Sequence, residues 1–294
     1  MRHGLWLAVL LAAVALPAVA APRLPAAIYT DPPRDAAHPA RSDAVWIDSG
    51  GARLNGVMLV ASGAGPHPTV LLCHGLPGNE QSLDQAQVLR RAGYNVLTFH
   101  YRGNWGSTGV FSLAGASRDA AAALAFLEDP VNVARFAIDP KRLIVVGHSM
   151  GGYVATELAA GHPEITATVL VAPWDYSADI AMFSTTGPAF DKAVGDNFND
   201  FDGRLGAVTG ADVAHEIVDP AYDWRLARFA PKLAGRPVLV ITAGDDSDDD
   251  KALALLPALK AAKARLTHID MTTDHAFSDH RVALAAAVLR WLKP

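Results

Sequence analysis

The chain of 294 residues has one cysteine, Cys73. No disulfide within the chain and no cysteine-based zinc motif is therefore possible. An excess of positive charge is also missing. There are 25 Lys and Arg against 30 Asp and Glu, for a formal net charge of −5. That excludes the basic balance of a general nucleic-acid binder, so no nucleic-acid partner is expected. Only one stretch is both long and uncharged, which excludes a polytopic membrane protein. No internal repeat is visible, and 24 Gly with 19 Pro leave no collagen-like or low-complexity reading. What is present is apolar: the chain is 51% hydrophobic and 19% charged. Such a chain can bury enough surface to offset its ordering entropy, so disorder is excluded as its main state.

The single uncharged stretch begins the chain. Met1-Arg2-His3 is short and positive, residues 5–16 are continuously apolar, and Pro17 breaks the run before Ala18-Val19-Ala20. These are the three regions of a secretory signal, with cleavage expected after Ala20. An uncleaved anchor is the alternative. Pro17 and the many alanines weaken it, so no stable membrane span is expected once the signal is removed. No cysteine stands at the cleavage site, so a lipid anchor there is not expected. Residues 21–43 are rich in Ala and Pro and read as a partly extended linker. The expected location is outside the cytoplasm, periplasmic or secreted.

Residues 44–294 alternate strand and helix. Residues 45–47 and 57–60 read as short strands joined at Ser49-Gly50-Gly51, an opening antiparallel hairpin. Residues 69–73, 95–99, 143–146, 167–171 and 238–242 are apolar runs without alternation. Such runs suit strands buried on both faces, as in a parallel sheet. Helical patterns lie between them: residues 82–92, one capped by Ser117, 150–160, 251–264 and 281–291. This order predicts an α/β fold with a mostly parallel twisted sheet and helices on both faces. Residues 173–232 break the rhythm with nine aromatics among many Asp and Gly, and read as a partly helical lid inserted between two strands.

The chemistry collects at strand ends. Gly147-His148-Ser149-Met150-Gly151 follows a buried strand and opens a helix. A strand that turns sharply into a helix strains the intervening residue and needs small neighbours. It exposes the Ser149 hydroxyl at a helix N-terminus, where partial positive charge favours a developing oxyanion. A serine needs a base. His275, in Thr273-Asp274-His275-Ala276-Phe277 after the last strand, is the best placed. His148 adjoins the serine, with its ring expected to point away, and His280 is expected on the final helix. The base needs an orienting carboxylate, and the strand at 238–242 ends in a run of aspartates from Asp245 to Asp250. An EF-hand pattern fails there for want of the glycine and the distant Glu. Another buried strand ends in His74-Gly75-Leu76-Pro77-Gly78-Asn79, a turn in which a backbone amide can approach a carbonyl. The amides of Leu76 and Met150 are the expected oxyanion donors. His74 is expected to fix that turn through its ring, and Cys73 to be buried core.

Together these segments resemble the α/β-hydrolase fold, and most of all its serine-aminopeptidase-like and dienelactone-hydrolase-like groups. Gly147 to Gly151 resembles the nucleophile elbow, His74-Gly75 the oxyanion loop, and Asp274-His275-Ala276-Phe277 the catalytic-histidine loop. Tyr101-Arg102-Gly103 and Gly106-Ser107 resemble a further family segment. There His100 stands where an acid is common, and Asn104-Trp105 spaces the glycines differently. The family's Gly-x-x-Asp pattern, with Ala243 at the glycine position, points to Asp246; the register set by Gly244 points instead to Asp248. The resemblance implies a serine hydrolase with the triad Ser149, Asp246 and His275 and with no metal or organic cofactor. Its substrate would be a small-molecule ester or a peptide. The aromatics of 173–232 favour a carboxylic ester with a partly apolar group. A peptidase would need a lid carboxylate to bind a substrate amine, from Asp175, Asp179, Asp191, Asp196, Asp200 or Asp202. A thioesterase, or a non-catalytic binding protein on the same fold, are further alternatives, since fold does not select chemistry.

Overall fold

A computed structural model describes residues 23–199, 201, 203–245 and 254–292. The expected signal, residues 1–20, lies outside the described residues. Eight strands form one sheet: β1 (Arg41–Ser49), β2 (Ala52–Val60), β3 (His67–Cys73), β4 (Asn95–Phe99), β5 (Ile138–His148), β6 (Ile165–Val171), β7 (Pro237–Ala243) and β8 (Arg265–Met271). Their order is β1-β2-β4-β3-β5-β6-β7-β8. β1 and β2 form the expected antiparallel hairpin, with Ser49 opposite Ala52. β2 pairs antiparallel with β4, and every later pairing is parallel.

The helices are α1 (Leu83–Arg91), α2 (Leu113–Glu128), α3 (Pro130–Phe136), α4 (Met150–Gly161), α5 (Ile180–Phe183), α6 (Pro188–Phe198), α7 (Gly210–Val218), α8 (Leu255–Ala261) and α9 (Arg281–Leu292). The continuous apolar runs are explained by the two layers these helices make. Val70 and Leu72 of β3, with Ile144 and Val146 of β5, pack under α1 and α9. Their neighbours Leu71, Cys73, Leu143 and Val145 pack on the other face, under α2 and α4. Side chains alternate across a strand, so a strand covered on both sides is apolar at every position.

Three boundaries differ from the sequence reading. β1 starts at Arg41, inside the stretch read as linker, and the preceding chain is docked on the sheet's helices. The Arg91 side chain donates to the carbonyls of Ala27 and Ile28, and Arg290 donates to that of Arg23. The cap of α2 is Ser112, whose hydroxyl accepts from the Gly115 amide at 2.9 Å. Ser117 lies inside the helix and donates to Glu157 instead. The helix expected over 251–264 is described only from residue 254 and runs from Leu255 to Ala261.

Residues 173–232 hold α5, α6, α7 and a 3-10 helix (Leu226–Leu233). They are tied to the body by Glu216 of α7, whose carboxylate accepts from the Leu113 and Ala114 amides at 2.7 and 3.0 Å. These are orphan donors of the first turn of α2, and a negative charge there is favoured by the helix dipole. Glu216→Ala should lower stability by roughly 1–2 kcal/mol in urea unfolding, with Glu216→Gln recovering part of it.

Candidate active site

Strand order reverses at β3 and β5: the chain goes from β3 outward to β4, then returns past β3 to β5. In open α/β sheets a crevice forms outside the carboxyl ends at such a point. Ser149 stands there as the one residue between β5 and α4, at φ 55° and ψ −122°. Positive φ with this ψ is costly for a residue with a Cβ, of the order of 1–3 kcal/mol, and persists only where neighbours over-determine it. They do so here. The Ser149 amide donates to Val171 O at 3.0 Å, and its carbonyl accepts from Gly152 N at 2.8 Å and Trp174 N at 3.0 Å. α4 also packs backbone to backbone on the end of β3, and a Cβ at Gly151 would strike the carbonyls of Cys73 and His74. Met150 opens α4, so its amide is one of those that helix geometry leaves without an intrahelical acceptor.

The loop after β3 lies against this elbow. A Cβ on Gly75 would stand 3.1 Å from Ser149 Cβ, so the Gly75-Leu76 backbone passes directly beside the serine. His74 is 2% exposed and its ring shapes the turn as expected, with Nδ1 2.7 Å from Gly75 O. Burial pushes its pKa down to about 3, so the ring is neutral and Nδ1 carries the donated proton. His100, 5.3 Å away between ring centroids, is pushed down to about 4 by burial. Cys73 is buried, and burial pushes its thiol up to about 12, so it acts as an inert core residue.

His275 follows β8 and comes to the same rim. Its backbone carbonyl is 2.9 Å from His148 Nε2, and the two rings lie 4.9 Å apart. His148 is the residue before Ser149. Its ring, expected to point away, joins the elbow to the histidine loop. The loop is braced below by Phe277, fully buried at φ 57°. It is braced at its exit by Arg281, which donates to Ala276 O at 3.0 Å and pairs with Asp84 of α1 at 2.5 Å. His280 precedes α9 rather than lying on it, and pairs with Asp279. Asp274 accepts from the Ser278 amide at 2.8 Å, a bond that holds its carboxyl below the usual range. It therefore shapes the loop. An open cavity of about 400 Å³ is lined by Asn79, Glu80 and Asp84 on one side and Ala276, Ser278 and Arg281 on the other, with the Arg281–Asp84 pair in its wall.

Asp246 and Asp248 lie outside the described residues. The chain departs toward them from beside the histidine loop: the Gly244 amide donates to Met271 O at 2.7 Å and the Asp245 amide to Thr273 O at 3.2 Å. Sequence reasoning missed Asp270, whose carboxylate accepts from Thr242 at 2.5 Å near this point. Its place on the last strand gave no signal. Among the described residues, no group of three or more His, Cys, Asp or Glu could hold a metal ion, and no helix is long and apolar enough to cross a membrane.

Five of the nine aromatics of 173–232 are buried against one another or against α4. Tyr176 stacks on Tyr153 of α4 at 4.1 Å, Trp224 packs on Tyr176, and Phe183 and Phe201 stack on Phe198. All six are buried. They are the core by which this segment sits on α4, and do not in themselves signal an apolar pocket. Three of its candidate acids are committed, while Asp200 and Asp202 lie outside the described residues. Asp175 accepts from Ser177 and from Leu226 N, Asp179 from the Trp174 indole, and Asp196 pairs with Lys192.

The sequence profile described as alpha/beta hydrolase fold matches residues 68–217, from β3 through the elbow to α7. The chain belongs to the α/β-hydrolase fold family. An uncharacterized protein of Mycobacterium tuberculosis is 35% identical over 143 residues, 48% of this chain and 49% of that protein. The chain thus spans about half the length of that curated relative. The lysophosphatidylserine lipase ABHD12 of Danio rerio is 38% identical over 96 residues, 31% of this chain and 23% of the relative. Among solved α/β-hydrolases, Est1E from Butyrivibrio proteoclasticus with ferulic acid bound superposes with a TM-score of 0.65. It has 20% identity and covers 85% of this chain and 98% of its own.

Proposed function

We propose that this α/β-hydrolase is an exported serine hydrolase that cleaves a carboxylic ester. Ser149 Oγ attacks the ester carbonyl while His275 takes its proton. The amides of Leu76 and Met150 receive the oxyanion of the tetrahedral intermediate. His275 then gives the proton to the departing alcohol, leaving an acyl-serine. Water, deprotonated by His275, attacks that acyl group and restores Ser149. Asp246 holds the imidazole tautomer, with Asp248 the alternative.

The observation that carries this reading is Ser149 held at φ 55° between strand and helix, with the Gly75-Leu76 backbone against it. Strain of this kind is retained where it serves a site. Ester is preferred to peptide because, among the described residues of 173–232, the two most buried acids, Asp175 and Asp179, are occupied by internal hydrogen bonds. The lipase name of one relative also supports ester chemistry. Export rests on the signal-like residues 1–20.

A fluorophosphonate should add its mass to the peptide containing Ser149 and to no peptide of Ser149→Ala. Absence of labelling in the unaltered protein would favour a non-catalytic binding protein on this fold. Hydrolysis of an aminoacyl anilide in preference to an acyl ester of similar size would favour the peptidase.

A further inference from the structure

The segment after β4 departs from family spacing at Asn104-Trp105, and the fold gives those two residues a shared target. Asn104 Nδ2 donates to Pro77 O at 2.8 Å, and Trp105 Nε1 donates to the same oxygen at 3.1 Å. Pro77 follows Leu76, whose amide is the expected oxyanion donor. Just upstream, the Tyr101 hydroxyl donates to His74 O at 3.3 Å. We propose that Asn104 and Trp105 are positioning residues for the oxyanion hole, fixing the direction of the Leu76 amide by gripping the loop on its far side. This rests on the serine-hydrolase reading and extends it to residues that do not touch the reacting atoms.

The argument is one of peptide planes. In a trans plane the carbonyl and the amide point opposite ways. Gly75 C=O and Leu76 N–H share a plane, and His74 Nδ1–H holds that carbonyl. The next free hinge is around Leu76 itself. The Pro77 carbonyl lies beyond it, and two donors from separate side chains hold it. The Leu76 amide's own plane is thus held by His74, and the chain two planes further on is held at the Pro77 carbonyl by Asn104 and Trp105, which leaves the amide little freedom to swing.

The grip is firmly backed. Asn104 is fully buried, and Trp105 is held at φ 42°, a conformation that costs a side-chain-bearing residue energy. The Trp105 carbonyl accepts from Asn55 Nδ2 at 3.3 Å. Ser107 closes the base of the turn, donating to His100 O at 2.8 Å and accepting from Asn55 N at 2.9 Å. At Gly78 (φ 96°), a Cβ would crowd His74 Cε1, Trp105 Nε1 and Asn104 Nδ2 at 2.8–3.1 Å. The loop and the grip are thus in direct contact along their length.

Trp105→Phe keeps the ring and removes only the indole donor, and Asn104→Leu removes the other donor at similar volume. The readouts are kcat and KM on an activated short-chain ester, and affinity for a trifluoromethyl ketone that forms a hemiketal oxyanion with the serine. Loss of a whole oxyanion donor costs about 10²–10³-fold in kcat. A loosened donor should therefore cost about 3-fold in Trp105→Phe and about 30-fold in the double variant, with KM within about 2-fold. Ketone affinity should fall by the same factors. Unchanged kcat, or a fall in kcat without a matching fall in ketone affinity, would overturn the proposal. If Asn104→Leu does not fold, Trp105→Phe decides alone, because its indole is half exposed. Failure of the unaltered protein to react with a fluorophosphonate would instead sink the serine-hydrolase reading, so the two failures are distinct.

Discussion

Turnover of an activated ester should fall by about 10⁴–10⁶-fold in Ser149→Ala, by a similar factor in His275→Ala, and no further in the double variant. The reason is that a seryl hydroxyl is a poor nucleophile alone and an imidazole has no role in this path without it. Removing either ends the same step, and what remains is the rate that binding and the oxyanion donors provide unaided. Neither change should unfold the protein. Ser149 owes its backbone geometry to the bonds from Val171, Gly152 and Trp174, all made by main-chain atoms. An alanine there keeps them. The measurement is a steady-state comparison of the two single variants and the double variant, with urea unfolding as the control. Effects that multiplied would mean that Ser149 and His275 act in separate steps.

Asp119→Ala should lower stability by about 3–5 kcal/mol in urea unfolding. The Asp119 carboxylate has no exposure and accepts four groups: Arg102 Nη2 at 2.6 Å, Arg102 Nε at 3.0 Å, the Arg102 amide at 2.8 Å and Ser49 Oγ at 2.7 Å. Arg102 is itself only 14% exposed. Deleting the acid strands a buried guanidinium and two further donors, and the penalty for leaving a buried charge unpaired exceeds the net worth of the pair. The site ties β1, α2 and the segment carrying Asn104 and Trp105, so residual activity should fall with folded fraction. A loss below about 1 kcal/mol would show that water replaces the carboxylate, and that the ion pair does not hold these elements together.

The sheet was legible because its strands are covered on both sides. Runs such as Val70 through Cys73 leave no polar position for an alternative. Ser149 was legible because Gly147 and Gly151 are forced by backbone contact, a constraint written directly into residue type. His275 followed from its place between the last strand and last helix. Other features depend on partners far along the chain and leave no local trace. Ser112 and Ser117 both precede helical patterns, and what selects Ser112 includes Glu216, about a hundred residues away, covering the amides next to it. The aromatics of 173–232 look alike in sequence whether they face a substrate or each other. Only the stack of Tyr153 on Tyr176 shows that they serve as core. His148 was expected to point away from Ser149, as neighbours along a strand do. A strand's last residue is released from that rule when the chain turns, and its ring is free to meet the His275 loop. Asn104-Trp105 registered as a departure from a pattern, and its target, the Pro77 carbonyl, is invisible without the fold.

The most direct test is a crystal structure of the protein after reaction with a phosphonate ester. The account predicts a phosphorus–oxygen bond at Ser149 Oγ. It predicts the phosphonyl oxygen within about 3 Å of the Leu76 and Met150 amides, and the His275 ring within hydrogen-bonding reach of Ser149 Oγ. A carboxylate from Asp246 or Asp248 should meet the other nitrogen of that ring. A phosphonate on any other residue, or one on Ser149 with the His275 ring turned away and neither amide on the oxygen, would contradict the claim that these loops converge to make one catalytic centre.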